Sequence, residues 1–305
     1  MSLGLRFLGT SASRPTIERG VAAVAVVREG ETLLVDCGEG TQRQMMRYGS
    51  GFAAEDIFIT HYHADHILGI PGLLRTMGLQ GRTAPVRLHG PRGAQRQITP
   101  LITLGMERPK FPVEIVELRV AEVLDRGDYE IVVGEASHKG ECFSYAIVEH
   151  ERLGRFDPER ARALGIPEGP MWGKIHKGES ITLNNGTIVS PGELVGPARP
   201  GRRLVISGDT GPSAAVTELA RGADLLIHEA TFGADEAERA RETGHSTAAE
   251  AAAVARDAGV KRLVLTHISA RYTRDAPELV AEAREVFPAT EVARDGMVVE
   301  VGYTE

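Results

Sequence analysis

The sequence predicts an α/β protein in which two β-sheets pack face to face and helices cover the outer faces. Two observations support this prediction, the order of the predicted elements and the composition. Short apolar runs alternate with helical patterns along most of the 305 residues, and this alternation occurs in two halves separated by a different segment. The apolar fraction of 42% and the charged fraction of 25% are typical of a globular protein. They exclude a disordered chain and a fibre.

In the first half, the early strands alternate with helices, whereas little helix separates the last three strands. The predicted strands are Leu3–Leu8, Val21–Val27, Thr32–Asp36, Asp56–Thr60, Val86–His89, Val113–Leu118, Tyr129–Val133 and Phe143–Val148. The predicted helices are Glu39–Tyr48, His66–Met77 and Gly93–Leu104.

In the second half the alternation restarts. The predicted strands are Leu204–Ser207, Leu225–His228, Arg262–Thr266 and a last strand pair around Glu291–Val301. The predicted helices are Ala214–Arg221, Thr247–Ala258 and Pro277–Val286. We expect each half to form its own sheet.

The segment Glu151–Arg203 between the halves is rich in glycine and proline and has no continuous amphipathic pattern. One interpretation is a long surface loop. Loops of more than about 15 residues without secondary structure are uncommon and are usually functional or disordered. We therefore favour a functional projection.

Charge is distributed unevenly along the chain. The net charge of −7 argues against a protein uniformly coated in positive charge. However, the segment Pro71–Lys110 carries +6 and Glu151–Arg203 carries +3, which leaves −16 on the rest of the chain. Solvated helix faces could produce such runs, but a bias of this size favours an anionic substrate.

No apolar run approaches the roughly 18 residues that span a bilayer, and the N-terminus has no signal-peptide pattern. The two cysteines, Cys37 and Cys142, are too few for a zinc–thiolate cage and suggest a reducing compartment. We therefore expect a cytoplasmic protein without a membrane partner. Any metal must be held by the ten histidines and by carboxylates.

The strongest motif follows the predicted strand Asp56–Thr60. His61, His63, Asp65 and His66 lie within six residues, where a strand ends and a helix begins. The two-residue period of a strand points His61 and His63 in the same direction. Neutral imidazoles and a carboxylate suit Zn²⁺, with Mn²⁺ or iron as alternatives. The motif predicts a metal site.

Three further candidate ligands, His138, Asp209 and His267, also follow predicted strands. Taken singly, each has an ordinary explanation: a loop residue, a helix N-cap and a residue at a strand end. Together they predict one cleft at the strand ends, in which Asp209 could bridge two metal ions.

The motif His61-x-His63-x-Asp65-His66, followed in order by the three further candidates, resembles the metallo-β-lactamase superfamily. Other stretches narrow the resemblance to the ribonuclease Z family, from about residue 3 to residue 300. These stretches are Phe7–Thr10, Asp36–Gln42, Gly69–Leu74, His228–Thr231, Gly244–Thr247 and Thr266–Tyr272.

The resemblance implies a four-layer αβ/βα sandwich that forms a single domain over residues 1–305. It also implies an inserted, protruding tRNA-binding arm at residues 151–203. Two zinc ions per subunit would be held at the sheet edge. The ligands would be His61, His63 and His138 for one ion, Asp65, His66 and His267 for the other, and Asp209 as the bridge.

The implied activity is removal of the 3′ trailer from precursor tRNA by hydrolysis. Asp65 would accept a proton as well as bind metal, and His245 with Glu229 would protonate the leaving oxygen. The ordinary explanation for His245 is a neighbour of a helix N-cap. Arg271 could bind the scissile phosphate, although an arginine after a strand is more often an ordinary surface residue.

Lys174 and Lys177 lie in a stretch, Gly169–Gly178, that resembles the glycine- and proline-rich part of the family's arm. Trp172 could stack on RNA or pack within the arm. The family also implies a homodimer in which each arm serves the partner's site.

Two other functions remain open from the sequence. One is a small-substrate phosphodiesterase or arylsulfatase-like hydrolase of the same superfamily. The other is a metal-bound RNA-binding module without turnover.

Overall fold

The structure, a computed structural model, describes residues 2–105, 108–183, 185–272 and 274–303. Glu107, the one acidic residue of the basic segment, lies outside these ranges. The strands are β1 (Leu3–Gly9), β2 (Ala23–Arg28), β3 (Glu31–Val35), β4 (Asp56–Phe58), β5 (Val86–Gly90), β6 (Val113–Glu117), β7 (Val123–Asp125), β8 (Tyr129–Ala136), β9 (Cys142–Glu149), β10 (Ile181–Thr182), β11 (Ile188–Val189), β12 (Arg203–Ile206), β13 (Leu225–Glu229), β14 (Leu263–Thr266), β15 (Thr290–Val292) and β16 (Val298–Glu300). The helices are α1 (Thr41–Tyr48), α2 (Ala64–Ile67), α3 (Ile70–Leu79), α4 (Ala94–Ile102), α5 (Pro158–Ala163), α6 (Pro170–His176), α7 (Ala214–Leu219), α8 (Ala237–Thr243), α9 (Ala248–Ala258) and α10 (Pro277–Val286).

Two seven-stranded sheets form the body of the protein. The first has the order β16-β1-β2-β3-β4-β5-β6, and the second has the order β15-β14-β13-β12-β9-β8-β7. Each sheet is antiparallel on one side and parallel on the other: β3 to β6 are parallel in the first sheet, and β12 to β15 in the second. In both sheets, helices connect most of the parallel strands.

The protein has four layers, with helices on the outer face of each of the two stacked sheets, and apolar side chains fill the space between adjacent layers. Between the sheets, aromatic residues such as Phe7, Phe58 and Tyr145 are buried. A second cluster packs the outer helices α1 and α3 on the first sheet, and a third, rich in alanine, packs α9 and α10 on the second. The predicted four-layer α/β sandwich is therefore confirmed.

The expectation that each half forms its own sheet is wrong. The chain crosses to the second sheet after β6, and its last strand returns to the first, where Glu300 of β16 pairs with Gly4 of β1. Consequently β15 and β16 are not a strand pair, because they lie in different sheets. Strand pairing over such distances is not encoded in local periodicity.

The predicted helix His66–Met77 is two helices, α2 and α3. Pro71 lies at the start of α3, where the missing N–H of proline costs no hydrogen bond. A β-carbon at Gly69 would collide with the carbonyl oxygen of Gly38, so the chain bends where only glycine fits. The break leaves Asp65 and His66 on the short α2, directly after β4.

The segment between β9 and β12 is a folded arm and not an unstructured loop. Its two chain segments form a stem, in which the backbone of Arg152 pairs with that of Arg199. Beyond the stem, α5, α6 and the hairpin β10–β11 surround a small apolar core of their own. Trp172 is half-buried against this core and donates a hydrogen bond to the carbonyl of Ile166 (3.2 Å). Periodicity predicted neither these short arm elements nor β7 and α8.

No helix in the described ranges is long and apolar enough to cross a membrane.

Candidate metal centre and active site

The predicted ligands come from the ends of strands in both sheets. The motif that begins at His61 follows β4 of the first sheet, whereas Asp209 follows β12 and His267 follows β14 of the second. His138 follows β8 on the antiparallel side of the second sheet. The carboxyl ends of parallel strands face one edge of a sheet, so packing the two sheets brings these side chains into one cleft.

The structure brings all seven predicted ligands together in two groups. In each group, one ligand atom from every residue lies within 4.8 Å of the others. The first group is His61, His63, His138 and Asp209, and the second is Asp65, His66 and His267.

Asp209 lies at the junction of the two groups. Its Oδ2 atom is 3.6 Å from Nε2 of His61 and 3.4 Å from Nε2 of both His66 and His267. One carboxylate oxygen thus faces ligands of both groups, which is the position that a bridging ligand requires.

His66 tests whether the site fits a metal ion. Its Nδ1 donates to Oδ2 of Asp36 (2.8 Å), and Asp36 also accepts hydrogen bonds from Thr60. Its Nε2 is buried and has no hydrogen-bond partner. An orphaned nitrogen aimed at two carboxylates, with the opposite nitrogen fixed by a third, is the arrangement of a metal-binding histidine.

Two other imidazoles are oriented in the same way. Nδ1 of His138 donates to the carbonyl oxygen of Gly244 (2.7 Å), and Nδ1 of His267 lies 2.9 Å from Oγ1 of Thr231. In both residues Nε2 is left for the cleft. Five imidazoles and two carboxylates form a donor set that suits zinc.

The pKa values agree with such a site. Burial, reinforced by the neighbouring His66, lowers the pKa of His61 to about 2, so this imidazole is neutral as a ligand must be. For Asp209, burial is outweighed by His267, His66 and His61, and its pKa falls well below the usual range. For His66, the carboxylates of Asp209 and Asp36 outweigh burial and raise the pKa. These carboxylates stabilise positive charge at this point, which a metal ion supplies as well as a proton does.

A third group of donor atoms contains Glu229 and His245 together with Asp209 and His267. Both carboxylate oxygens of Glu229 are already engaged. Oε1 accepts from Nδ1 of His245 (2.7 Å), and Oε2 accepts from the backbone N–H (3.0 Å) and the hydroxyl (2.8 Å) of Thr231. Glu229 is therefore placed to orient His245 rather than to bind metal.

His245 lies beside the ligands but is not needed as a helix cap. Thr247 caps α9 and shares a capping box with Glu250. Burial lowers the pKa of His245, but the hydrogen bond and the charge of Glu229 outweigh it, so the pKa is raised. A protonated imidazole held by a carboxylate at the cleft can serve as a general acid. His228, the neighbour of Glu229 in β13, is buried, and its Nδ1 donates to the carbonyl oxygen of Glu229 (2.7 Å).

The structure does not bring the predicted substrate-binding residues into this cluster. The guanidinium group of Arg271 forms an ion pair with Glu236. Lys174 lies on α6 and Lys177 directly follows it, and both are exposed on the arm.

Two contacts at the site were missed from the sequence. The backbone N–H of Ser13 donates to Oδ2 of Asp65 (2.8 Å), although the two residues are 52 positions apart. Thr231 links Glu229 to His267. A hydroxyl residue within the His228–Thr231 stretch could have suggested Thr231, whereas nothing in the sequence points to a backbone donor at Ser13.

Comparison with known proteins agrees with this geometry. Residues 16–146 match the model of the metallo-beta-lactamase superfamily, and residues 175–268 match that of a beta-lactamase superfamily domain. The chain is 59% identical to ribonuclease Z of Gemmatimonas aurantiaca, over 100% of this chain and 98% of the relative. It is 51% identical to ribonuclease Z of Myxococcus xanthus, over 98% of both.

Among solved structures, the chain is similar to the short form of human tRNase Z. The TM-score is 0.71 at 28% identity, and the match covers 98% of this chain and 99% of the human one. Sequence identity over the full length, the fold and the ligand set lead to one conclusion: the chain belongs to the ribonuclease Z family of the metallo-β-lactamase superfamily.

Proposed function

We propose that this chain is an endoribonuclease that removes the 3′ trailer from precursor tRNA. The observation that carries the proposal is the complete set of seven ligands beside the His245–Glu229 pair, in a chain of the ribonuclease Z family. Water attacks the phosphorus and the bond to the 3′ oxygen breaks. The tRNA keeps a 3′-hydroxyl group, and the trailer keeps a 5′-phosphate.

The proposed cofactor is a pair of zinc ions in each subunit, with manganese as an alternative. His61, His63 and His138 would hold one ion, Asp65, His66 and His267 the other, and Asp209 both. Two bound ions supply Lewis-acid chemistry, which lowers the pKa of water to near neutrality and offsets the charge of the phosphate.

Three side chains of the protein would move or hold the protons. Asp65 would accept the proton of the attacking water, while the Ser13 N–H holds one of its oxygens in place. His245 would donate the proton on Nε2 to the leaving 3′ oxygen. Glu229 keeps Nδ1 protonated and the ring oriented, and it raises the pKa of the imidazole.

We further propose that the arm binds the body of the tRNA. Lys174 and Lys177 are exposed on it and would contact phosphates, while Arg271 would contact the RNA near the cleft. Contacts of this kind recognise shape and charge but not sequence, so binding should weaken steeply with salt. Neither a small-substrate phosphodiesterase nor an arylsulfatase-like hydrolase needs such an arm.

A homodimer in the cytoplasm is the proposed working state, with each arm serving the partner's site. Mixed subunits test it. Asp65→Ala chains alone would be inactive on precursor tRNA, and chains lacking the arm would cleave it with a KM about 100-fold higher. Mixed together, they would regain cleavage with the wild-type KM at one site per dimer. If light scattering found only monomers, the dimer would be refuted.

The activity itself is tested with a precursor tRNA that carries a 3′ trailer, incubated with zinc or manganese. We expect one cut, a 3′-hydroxyl on the tRNA and a 5′-phosphate on the trailer. His245→Ala should slow the cut by about 100-fold or more without loss of bound zinc. Hydrolysis of bis(p-nitrophenyl) phosphate without any cleavage of precursor tRNA would favour the small-substrate hydrolase, and RNA binding without cleavage would favour the non-catalytic module.

A further inference from the structure

The root of the arm consists of the two chain segments that leave the second sheet, residues 149–152 and 199–203. The segments pair through their backbones. The N–H of Glu149 donates to the carbonyl of Arg202 (2.9 Å), and Arg152 and Arg199 exchange hydrogen bonds of 2.8 and 2.9 Å. The arm is thus joined to the body by a two-stranded ribbon, which by itself has little stability and bends easily.

An aromatic ring from elsewhere in the chain packs against this root. Tyr303 follows β16 of the first sheet, and the guanidinium carbons of Arg152 and Arg202 lie over its ring, at 3.3 and 4.0 Å from the ring centre. A guanidinium group within about 6 Å of an aromatic ring is attracted to it. One side chain that follows the first sheet therefore contacts both segments of the root.

Arg202 is also held in place by contacts other than the aromatic ring. Arg202 donates to both carboxylate oxygens of the buried Glu149 (2.7 and 2.8 Å) and to the carbonyl of Val301 (2.9 Å), two residues before Tyr303. Its side chain is only 3% exposed. The ring thus packs on a rigid base at Arg202 and reaches the more exposed Arg152 on the other segment.

We propose that Tyr303 is a positioning residue. By packing on Arg152 and Arg202 it fixes the direction of the arm relative to the metal centre, and so it favours a long RNA held at two places over a small phosphodiester. The gain from two linked binding sites depends on the stiffness and geometry of the link between them. The effect on RNA rests on the proposed function, whereas the restraint on the arm does not.

The restraint can be measured without any substrate. Trp172 is the single tryptophan of the chain and lies in the arm, so time-resolved fluorescence anisotropy reports motion of the arm directly. In Tyr303→Ala we expect a larger fast component of the decay, from motion of the whole arm. Tyr303→Phe loses the hydroxyl that hydrogen-bonds to Glu149 but keeps the ring against both guanidinium groups, so its decay should stay much closer to that of the wild type than to that of Tyr303→Ala. Equal decays in Tyr303→Ala and the wild type would overturn the proposal.

The effect on specificity is measured with two substrates. For precursor tRNA we expect Tyr303→Ala to raise KM by about 10-fold with kcat unchanged, because the arm no longer presents the RNA from a fixed direction. Turnover of bis(p-nitrophenyl) phosphate should stay at the wild-type level. A looser arm with an unchanged KM for precursor tRNA would overturn the positioning role.

A second variant tests the same contact in case Tyr303→Ala fails to fold. Arg152→Gln removes the guanidinium group over the ring at a half-buried position, and it should loosen Trp172 and raise KM in the same direction. Unfolding midpoints identify any variant that is globally destabilised. If the wild type failed to cleave precursor tRNA, the proposed function would be refuted, while the anisotropy comparison would still decide whether Tyr303 restrains the arm.

Discussion

The metal centre and the arm differ in how their geometry is fixed. At the metal centre, side chains from both sheets are buried against one another: His61, His66 and Asp209 are each at most 2% exposed. The arm instead has a small core of its own, and its lysines are exposed. The sandwich therefore determines the chemistry, whereas a separately packed segment presents a charged surface. It follows that damage to one region should leave the other measurable.

The largest effect is expected at the metal centre. Asp65→Ala removes a proposed ligand together with the proposed proton acceptor, so turnover of both precursor tRNA and a small diester should fall by about 10⁴-fold. Kinetics and the zinc content of the purified protein measure the loss. Asp257→Ala, on the exposed face of α9, is the matched control and should behave as the wild type. Full diester turnover by Asp65→Ala would contradict the assignment.

Shortening the arm should weaken the reaction with precursor tRNA but not the reaction with a small diester. Phe156 and Val195 face each other across the stem, so residues 156–195 can be replaced by two glycines without disturbing the root. We expect KM for precursor tRNA to rise by about 100-fold, because one of two linked contacts is lost. Turnover of the small diester should be unchanged. If both substrates were affected equally, the comparison between the two regions would fail.

A smaller effect is expected from the charges on the arm. Replacing Lys174 and Lys177 by glutamine should weaken binding of precursor tRNA several-fold. The slope of log affinity against log salt should fall by about 1.5, since each phosphate contact contributes a little less than one unit. A variant with Lys261→Gln and Arg256→Gln removes the same charge outside the arm, at the C-terminal end of α9. An equal loss in that control would mean that net charge, and not the arm, determines binding.

The last prediction concerns the stability of the root of the arm, where the two regions meet. Burial would raise the pKa of Glu149, but its hydrogen bonds and charge interactions with Arg202 and the charge of Arg28 outweigh burial and lower the pKa to about 2. Since the pKa is lower in the folded state, this group stabilises the protein above pH 4.5. That contribution is lost as the pH falls towards 2, on the order of 2 kcal/mol. Denaturant unfolding from pH 6 to pH 2.5 measures it, and Glu149→Gln should flatten the dependence.

That the seven proposed ligands lie in one cleft could be predicted from the sequence because they lie shortly after strand ends, whereas their division between two ions was implied by the family resemblance. Strand ends can be located from apolar runs, and His61, Asp209 and His267 were placed in this way. The fold class followed from the same alternation of strands and helices. The strand ends and the fold class depend on local sequence patterns, and both could therefore be predicted.

The contacts that depend on distant pairing could not be predicted. The N–H of Ser13 reaches Asp65 only because the loop after β1 lies over the cleft, and a backbone donor leaves no trace in residue type. The packing of Trp172 depends on the arm's own core, and the helices and strands around that core are too short to show a period. The return of β16 to the first sheet was missed for the same reason.

The pairing of β1 with β16 has a consequence for synthesis on the ribosome. β1 emerges early, but its neighbour β16 emerges almost 300 residues later, and His267 is the last of the seven ligands to appear. Contacts between distant parts of a chain must wait for both partners. Neither the first sheet nor the metal centre is complete until nearly the whole chain has been made. A nascent chain or fragment that ends before His267 therefore lacks one of the proposed metal ligands and the strand that completes the first sheet.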